Sequence, residues 1–365
     1  MTEVGVTLGV EEEYHLVDAE TMALADAPAV VAEAIGLLGD QAQSEISTSQ
    51  LETATPVSSS LDQVRDHLVR LRRGADEAAQ RHGCRILSAG SHPTAHWSEQ
   101  RTTDDPRYLR VRDRYAALAT QQLIAGQHIH VSVPDPELAV AVVDRLRVDL
   151  PVLLALSGSS PFWDSADTGY ASYRTLWFAR FPVTGSQELL GSLTAYDELV
   201  ASLVATGVVD DARGLYWDAR PSSLYPTIEV RVADACPRLD DAVLQAGLTR
   251  ALVRVVGAQA HRDEPFPTPR AEVVRAARWR AARFGLEGAL VDLRTGEQAP
   301  AAALVRGLLE RLRDDLETTG DWDEISALAE QALARGTSAA EQRRTAERAG
   351  LTAVVRELVA QTSDV

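Results

Sequence analysis

Three segments of this 365-residue chain carry two polar side chains in i, i+2 spacing opposite a mainly apolar face. The pairs are Glu11 with Glu13, His128 with His130, and Glu229 with Arg231. Successive side chains of a β-strand point to opposite faces, so each pair lies on one face of its strand. If the three strands are neighbours in one sheet, their polar side chains meet in a single site. The pattern therefore predicts a sheet with one functional face.

A fourth segment, residues 44–56, adds the carboxylates Glu45 and Glu52. Their odd separation would place them on opposite faces of a regular strand. Both can therefore join the same site only across a bulge or a turn.

Patterns of apolar residues predict the secondary structure. Alternation predicts strands near residues 4–17, 43–53, 85–89, 127–133, 214–218 and 226–233. Helical spacing predicts helices over residues 61–81, 107–123, 136–156, 187–206, 240–261, 304–316, 323–333 and 339–359. Strands with one polar face are typical of antiparallel sheets. We therefore expect an α+β fold.

We expect one domain over residues 1–299, with residues 300–365 as a helical C-terminal extension packed on it. Two long loops, residues 90–106 and 158–185, are candidate binding loops or lids, because long structured loops often have such roles. The second loop contains Tyr173, Arg174 and Arg180. Exposed edges of an antiparallel sheet would suit a homodimer.

The charged residues exclude several classes of protein. All 36 basic residues are arginine, so the lysines of a Walker A loop, a protein kinase and a pyridoxal Schiff base are all absent. The formal net charge of −17 argues against a nucleic-acid partner. Two isolated cysteines, Cys84 and Cys236, provide no disulfide framework. Without a signal-peptide pattern or a membrane-spanning apolar run, we expect a cytoplasmic protein with no membrane partner.

Converging carboxylates need a counter-charge. Two such charges 4 Å apart repel by roughly 4 kcal/mol at an effective dielectric constant of about 20. Protonation, arginine or a divalent cation could neutralise them, and a shell of mostly oxygen with imidazole suits Mg²⁺ or Mn²⁺ better than structural zinc. Magnesium in turn suggests the phosphates of ATP, which Arg231, Arg174 and Arg180 could clamp.

Two other functions remain open on these residues. His128 and His130 with distant carboxylates also suit the catalytic zinc or dinuclear site of a metal-dependent hydrolase. A catalytically silent protein that binds a small molecule on the same scaffold is the third alternative.

Several ordered motifs resemble those of the type 2 glutamate–cysteine ligases, also called carboxylate–amine ligases. They are residues 9–18, 50–57, 89–93, 126–131, 157–161, 169–174, 227–231 and 279–285. The resemblance implies a glutamine-synthetase-like catalytic domain, a curved and largely antiparallel sheet that forms a funnel with helices outside. It also implies ATP-dependent amide formation through an acyl phosphate, with L-glutamate as the carboxylate donor and L-cysteine or another amine as the acceptor.

The resemblance also implies roles for individual residues. By similarity, the magnesium ligands would be Glu11, Glu13, Glu45, Glu52, His128 and Glu229. Arg231 would contact the transferred phosphate, and the catalytic residues would be Arg231, Glu52 and Glu229. We further expect ATP or substrate to be bound by His130, Tyr173, Arg174 and Arg180.

Overall fold

The computed structural model describes residues 4–365. Its strands are β1 (Leu8–Asp18), β2 (Ala42–Ser44), β3 (Gln50–Ala54), β4 (Cys84–Leu87), β5 (Gly126–Ser132), β6 (Phe162–Trp163), β7 (Ala166–Asp167), β8 (Thr184–Gly185), β9 (Tyr216–Trp217), β10 (Ala219–Pro221), β11 (Thr227–Asp234), β12 (Ala289–Asp292) and β13 (Glu297–Pro300). Its α-helices are α1 (Pro28–Leu38), α2 (Leu61–Gln80), α3 (Pro106–Tyr115), α4 (Ala117–Thr120), α5 (Pro136–Leu146), α6 (Leu150–Ser157), α7 (Tyr173–Phe178), α8 (Leu193–Ala205), α9 (Leu239–His261), α10 (Ala271–Phe284), α11 (Ala301–Thr319), α12 (Trp322–Arg335), α13 (Ser338–Ala349) and α14 (Leu351–Ser363).

Seven strands form the central sheet, in the order β10-β11-β5-β1-β3-β2, with β4 paired to β1. All pairings within this sheet are antiparallel. The apolar face of β1, β5 and β11 contributes Val10, Ile129 and Val230 to one buried core shared with α5, α6 and α9. The helices therefore cover one face of the sheet and leave the polar pairs on the other. The predicted α+β fold with a largely antiparallel sheet is confirmed.

Four predicted elements are each divided in two. The strand predicted over residues 43–53 is β2 and β3, and the helices predicted over 107–123, 136–156 and 339–359 are α3–α4, α5–α6 and α13–α14. Ala116 and Gly350 interrupt two of these helices with positive φ angles of 49° and 81°. The third is interrupted before α6, where Pro151 lacks the N–H that a continuous helix requires. A backbone break of this kind does not change the hydrophobic periodicity on either side of it, so the periodicity alone does not reveal the break.

Three helices lie where no helix was predicted, namely α1, α7 and α10. Of these, α7 lies inside the predicted loop of residues 158–185. The strand predicted over residues 214–218 is reduced to the two-residue β9.

The C-terminal helices pack on the rest of the chain. Leu308 and Leu312 of α11 and Ile325 of α12 belong to the same buried core as the sheet, and α14 contacts β4. We propose on this basis that residues 300–365 extend the domain of residues 1–299. Within residues 4–365, no helix combines the length and the apolar character that a membrane crossing requires.

A buried ion pair ties α2 to the sheet. The fully buried Arg72 donates to both carboxylate oxygens of Glu12, at 3.0 and 2.5 Å, and to the carbonyl oxygens of Cys236 and Pro237, at 2.8 and 2.7 Å. Glu12 also accepts a hydrogen bond from the Tyr14 hydroxyl at 2.9 Å. The charges are thus both paired and hydrogen bonded, which a buried ion pair requires.

We expect Arg72→Met to lower the free energy of unfolding by about 3–5 kcal/mol, because the substitution leaves the Glu12 carboxylate buried without its counter-ion. Urea unfolding at neutral pH measures the loss. The matched control is Arg70→Met on the exposed face of the same helix, which should change stability by no more than about 0.5 kcal/mol. Equal effects of the two substitutions would contradict the structural role of the pair.

A buried histidine makes stability depend on pH. The Nδ1 atom of His92 accepts from the backbone N–H groups of Thr94 and Ala95, at 3.3 and 3.1 Å, and Nε2 lies 3.1 Å from the Met22 carbonyl oxygen. Protonation at Nδ1 would remove the acceptor. Burial lowers the pKa of His92 to about 4. The unfolded chain therefore takes up this proton below about pH 6.5, whereas the folded protein does not.

On acidification from about pH 7 to about pH 5, we expect His92 to remove roughly 2 kcal/mol from the free energy of unfolding. His92→Asn retains a side-chain acceptor near Nδ1 but does not titrate. The stability of this variant should therefore fall by about 2 kcal/mol less than that of wild type over this range. Denaturant unfolding at several pH values tests this, with the exposed His261→Asn as the control that follows wild type. If the free energy of unfolding falls equally with pH in wild type and in His92→Asn, the expectation is refuted.

Candidate active site

The antiparallel register brings the polar pairs of neighbouring strands side by side. Glu11 of β1 lies opposite His128 of β5, and His130 of β5 lies opposite Glu229 of β11. On the other side of β1, Glu13 lies opposite Glu52 of β3. The structure thus unites the three pairs and Glu52 on one face.

A turn between β2 and β3 brings Glu45 to the same place. Gln43 of β2 pairs with Glu52 of β3, and its side-chain amide donates to the Glu52 carboxylate. Glu45 lies in the connection that follows β2. One carboxylate oxygen from each of Glu13, Glu45 and Glu52 lies within 4.8 Å of the others. On a single strand, the odd number of residues between Glu45 and Glu52 would place them on opposite faces. The turn between β2 and β3 brings both to the same face.

A second group of possible ligands lies beside the first. Glu11, His130 and Glu229 each offer one atom within 4.8 Å of the others. His128 lies between the two groups, with Nδ1 3.1 Å from Glu11 Oε2 and Nε2 3.6 Å from Glu13 Oε1. Its Nε2 atom is buried and has no hydrogen-bond partner among the described residues. The second ligand group therefore contains His130, and His128 bridges the two groups.

The carboxylates differ in how well their charge is balanced. Burial and the nearby Glu11 and Glu45 carboxylates raise the pKa of Glu52 well above its usual value. Burial also raises the pKa of Glu13, with the charge of Glu45 adding to the effect. Burial would likewise raise the pKa of Glu11, but hydrogen bonds to His128 and His130 hold it well below the usual value. Negative charge is therefore least compensated around Glu13 and Glu52.

The available donors fit a hard divalent cation. Carboxylate oxygens outnumber imidazole nitrogens in the two ligand groups, the donor set that Mg²⁺ and Mn²⁺ prefer. The unpartnered Nε2 atom of His128 and the raised pKa values of Glu13 and Glu52 are further features that a bound cation would relieve.

The cluster forms one wall of an open cavity of about 260 Å³. Five arginines also line this cavity, namely Arg107, Arg174, Arg213, Arg220 and Arg231. Arg107, Arg213 and Arg220 are not among the residues predicted from the sequence for this site. The signal that could have found Arg220 is its i, i+2 spacing from Asp218 shortly before β11, although Asp218 itself lies in a bend between β9 and β10. Arg107 lies in the first turn of α3 and Arg213 in a short 3-10 helix at residues 212–214, and no local sequence pattern marks either residue as part of a site.

Arg231 and Arg220 contact Glu229 from both sides. Arg231 Nη1 donates to Glu229 Oε1, and Arg220 Nε donates to Glu229 Oε2 at 2.9 Å. Burial would raise the pKa of Glu229, but the charges of these two arginines lower it. Arg220 also donates to the carbonyl oxygens of residues 212, 213 and 215, whereas the Nε atom of Arg231 has no partner among the described residues. Arg231 therefore keeps an unused hydrogen-bond donor at Nε.

Of the three candidates in the loop of residues 158–185, the structure places only Arg174 on the cavity wall. Arg180 is exposed, donates to Gln121 at 2.9 Å and lies over the Trp177 ring. Tyr173 packs among Trp163, Tyr170 and Trp177. Because successive residues of a helix point about 100° apart, Tyr173 does not share the direction of Arg174. Arg180 and Tyr173 therefore lie off the wall of this cavity, and their contact with ATP or substrate stays a prediction.

The chain matches the family model described as glutamate–cysteine ligase family 2 over residues 7–359. A Mycolicibacterium smegmatis protein named "Putative glutamate--cysteine ligase 2-2" is 45% identical over 364 residues, which cover 98% of this chain and 90% of that protein. A Frankia casuarinae protein of the same name is 43% identical over 361 residues, covering 99% of this chain but 42% of the relative. The chain belongs to glutamate–cysteine ligase family 2.

Solved structures share the fold. A Francisella tularensis glutamate–cysteine ligase in complex with AMP superposes with a TM-score of 0.72 at 13% identity, covering 100% of this chain and 90% of that one. A bifunctional glutathione synthetase from Pasteurella multocida gives a TM-score of 0.69 at 18% identity, covering 98% of this chain and 52% of that one. The architecture is thus that of known ligases, although the sequences have diverged widely.

Proposed function

We propose that this protein is an ATP-dependent carboxylate–amine ligase that joins the γ-carboxylate of L-glutamate to L-cysteine or another amine. The observation that carries the proposal is the cavity in which a cluster of carboxylates and imidazoles faces five arginines. Membership of glutamate–cysteine ligase family 2 supports it. ATP as a substrate suits a cytoplasmic location, which we propose with it.

In the proposed reaction, the γ-carboxylate of glutamate attacks the terminal phosphorus of ATP and ADP leaves. The amine then attacks the acyl phosphate, inorganic phosphate leaves and the amine loses a proton. Magnesium bound to the cluster would neutralise phosphate oxygens. The site residues themselves act by position and charge, which is the main contribution of a protein to phosphoryl transfer.

The two ligand groups have distinct proposed roles. Glu13, Glu45 and Glu52 would hold one cation, and Glu11, His130 and Glu229 a second, with His128 between them. Arg231, fixed by Glu229, would contact the transferred phosphate. Arg174 would bind an anionic group of a substrate from the cavity wall.

Phosphate release from Mg-ATP tests the proposal, with L-glutamate and a panel of amines that includes L-cysteine. We expect release only when glutamate and one amine are both present, together with a product whose mass equals that of their amide. Omission of Mg²⁺ or of either substrate is the control. If no pair of glutamate and amine gives phosphate release, and zinc is retained through purification, the result would favour the hydrolase alternative.

A further inference from the structure

Asp234, the last residue of β11, is a fully buried carboxylate surrounded by neutral donors. Its Oδ2 atom accepts from the Ser159 backbone N–H at 3.0 Å and from the Ser160 hydroxyl at 2.7 Å. Its Oδ1 atom accepts from the Ser172 hydroxyl at 2.7 Å and lies 3.9 Å from Arg174 Nη1. Asp234 thus faces Arg174 from beneath the cavity wall.

The same two hydroxyl groups hold the first turn of α7. Ser160 Oγ accepts from the backbone N–H of Arg174 at 3.0 Å. Ser172 is the N-cap residue of α7, and its Oγ accepts from the backbone N–H of Thr175 at 3.3 Å. Because both serines also donate to Asp234, this carboxylate fixes the backbone from which the Arg174 side chain extends.

Two glycines leave space for the side chains of Arg174 and Asp234. A Cβ atom on Gly126, which pairs with Asp234 across β5 and β11, would lie 2.2 Å from Arg174 Nη2. A Cβ atom on Gly90 would lie 2.6 Å from Asp234 Oδ2. Neither glycine has a positive φ, so the absence of a side chain matters here for space alone.

The Arg174 guanidinium is buried with few partners. Its side chain is 5% exposed, its Nε atom has no hydrogen-bond partner among the described residues, and Nη2 makes one long contact of 3.4 Å with the Arg231 carbonyl oxygen. Burying a cation with donors unused is unfavourable unless a counter-charge or ligand compensates. Asp234 supplies the nearby charge, and the unused donors remain for an anion in the cavity.

We propose that Asp234 is a positioning residue that, together with Ser160 and Ser172, holds the Arg174 guanidinium in the cavity wall to receive an anionic group of a substrate. This inference rests on the proposed function for the identity of the anion, which is either the carboxylate of the amino-acid donor or a phosphate of ATP. Which of the two KM values changes distinguishes these sources.

A double-mutant cycle tests the inference. We expect Asp234→Asn to raise the KM for glutamate or for ATP by about tenfold, with a smaller change in kcat, because Arg174 loses its alignment. In an Arg174→Ala background, the same substitution should change that KM by less than about twofold. If Asp234→Asn instead damaged the fold as a whole, it would lower activity by the same factor in both backgrounds. That result would overturn the inference.

Gly126→Ala provides a second variant that leaves Asp234 intact. Its added methyl group displaces only the end of the Arg174 side chain, so we expect a rise in the same KM with little change in the melting temperature. This variant keeps the inference testable if Asp234→Asn fails to fold. An unchanged KM in Gly126→Ala would count against the role of Arg174.

A measurement that needs no activity separates this inference from the proposed function. In protein labelled with ¹⁵N-arginine, the Nε–Hε resonance of Arg174 can be assigned by its loss in Arg174→Ala. We expect this resonance to shift in both Asp234→Asn and Gly126→Ala without any substrate. A shift in a protein that releases no phosphate would support the positioning role and reject the ligase. An unmoved resonance in both variants would overturn the positioning role, even in an active ligase.

Discussion

Glu52→Gln is expected to stabilise the metal-free protein and, at the same time, to lower phosphate release by a factor of about 10²–10³. Glu52 is 5% exposed, so burial raises its pKa, and the charges of Glu11, Glu45 and Glu13 raise it further. Removing its charge relieves repulsion that can reach roughly 4 kcal/mol for one pair at 4 Å. The new amide retains an oxygen that can accept from Gln43, as the carboxylate does now.

Activity should change in the opposite direction because the amide carries no charge to hold a cation. In the proposed reaction, the loss of one ligand from the group of Glu13, Glu45 and Glu52 weakens cation binding and the alignment of ATP. The substitution is thus expected to raise stability and to lower activity, because a cluster of like charges that binds a ligand is unfavourable in the protein without that ligand.

Thermal unfolding in EDTA and in Mg²⁺ measures the first effect, and phosphate release measures the second. Without metal, the melting temperature of Glu52→Gln should exceed that of wild type by roughly 2 °C for each kcal/mol gained. With Mg²⁺, wild type should gain more stability than the variant. The control is Glu310→Gln on α11, which alters an exposed carboxylate far from the cluster in sequence. A variant that is less stable without metal, or that keeps its turnover, would disprove the proposed role of Glu52.

Arg231→Gln is expected to lower turnover by about 10³, because an arginine that compensates charge on a transferred phosphate contributes on this scale. The fold should persist. Glu229 keeps its hydrogen bond from Arg220 at 2.9 Å after the substitution, so the buried carboxylate is not left without a counter-ion.

Steady-state kinetics and urea unfolding separate the two outcomes. We expect kcat to fall strongly in Arg231→Gln while the free energy of unfolding changes by no more than about 1 kcal/mol. The exposed Arg262→Gln is the matched control and should behave as wild type. A large loss of stability without a fall in the kcat of the folded fraction would mean that Arg231 serves the fold alone.

Much of the site followed from local patterns. Alternation placed Glu11 with Glu13 and Glu229 with Arg231 on single faces, and the observed register brings these faces together. The division of the predicted strand at residues 43–53 did not follow, because the turn that carries Glu45 contains no glycine, proline or asparagine to mark it. The directions of Tyr173 and Arg180 also could not be derived, since the sequence pattern did not reveal the short helix α7.

By itself, the sequence determined the α+β class, the polar face of the sheet and the excess of carboxylates in it, because strand periodicity and side-chain chemistry are local properties. Only the tertiary structure decided which arginines meet that face. Arg107 comes from the first turn of α3 and Arg213 from a short 3-10 helix at residues 212–214, before β9, and both reach the cavity through the path of the chain. The contact between Asp234 and Arg174 is of the same kind, since it depends on long-range packing that no spacing within one segment encodes.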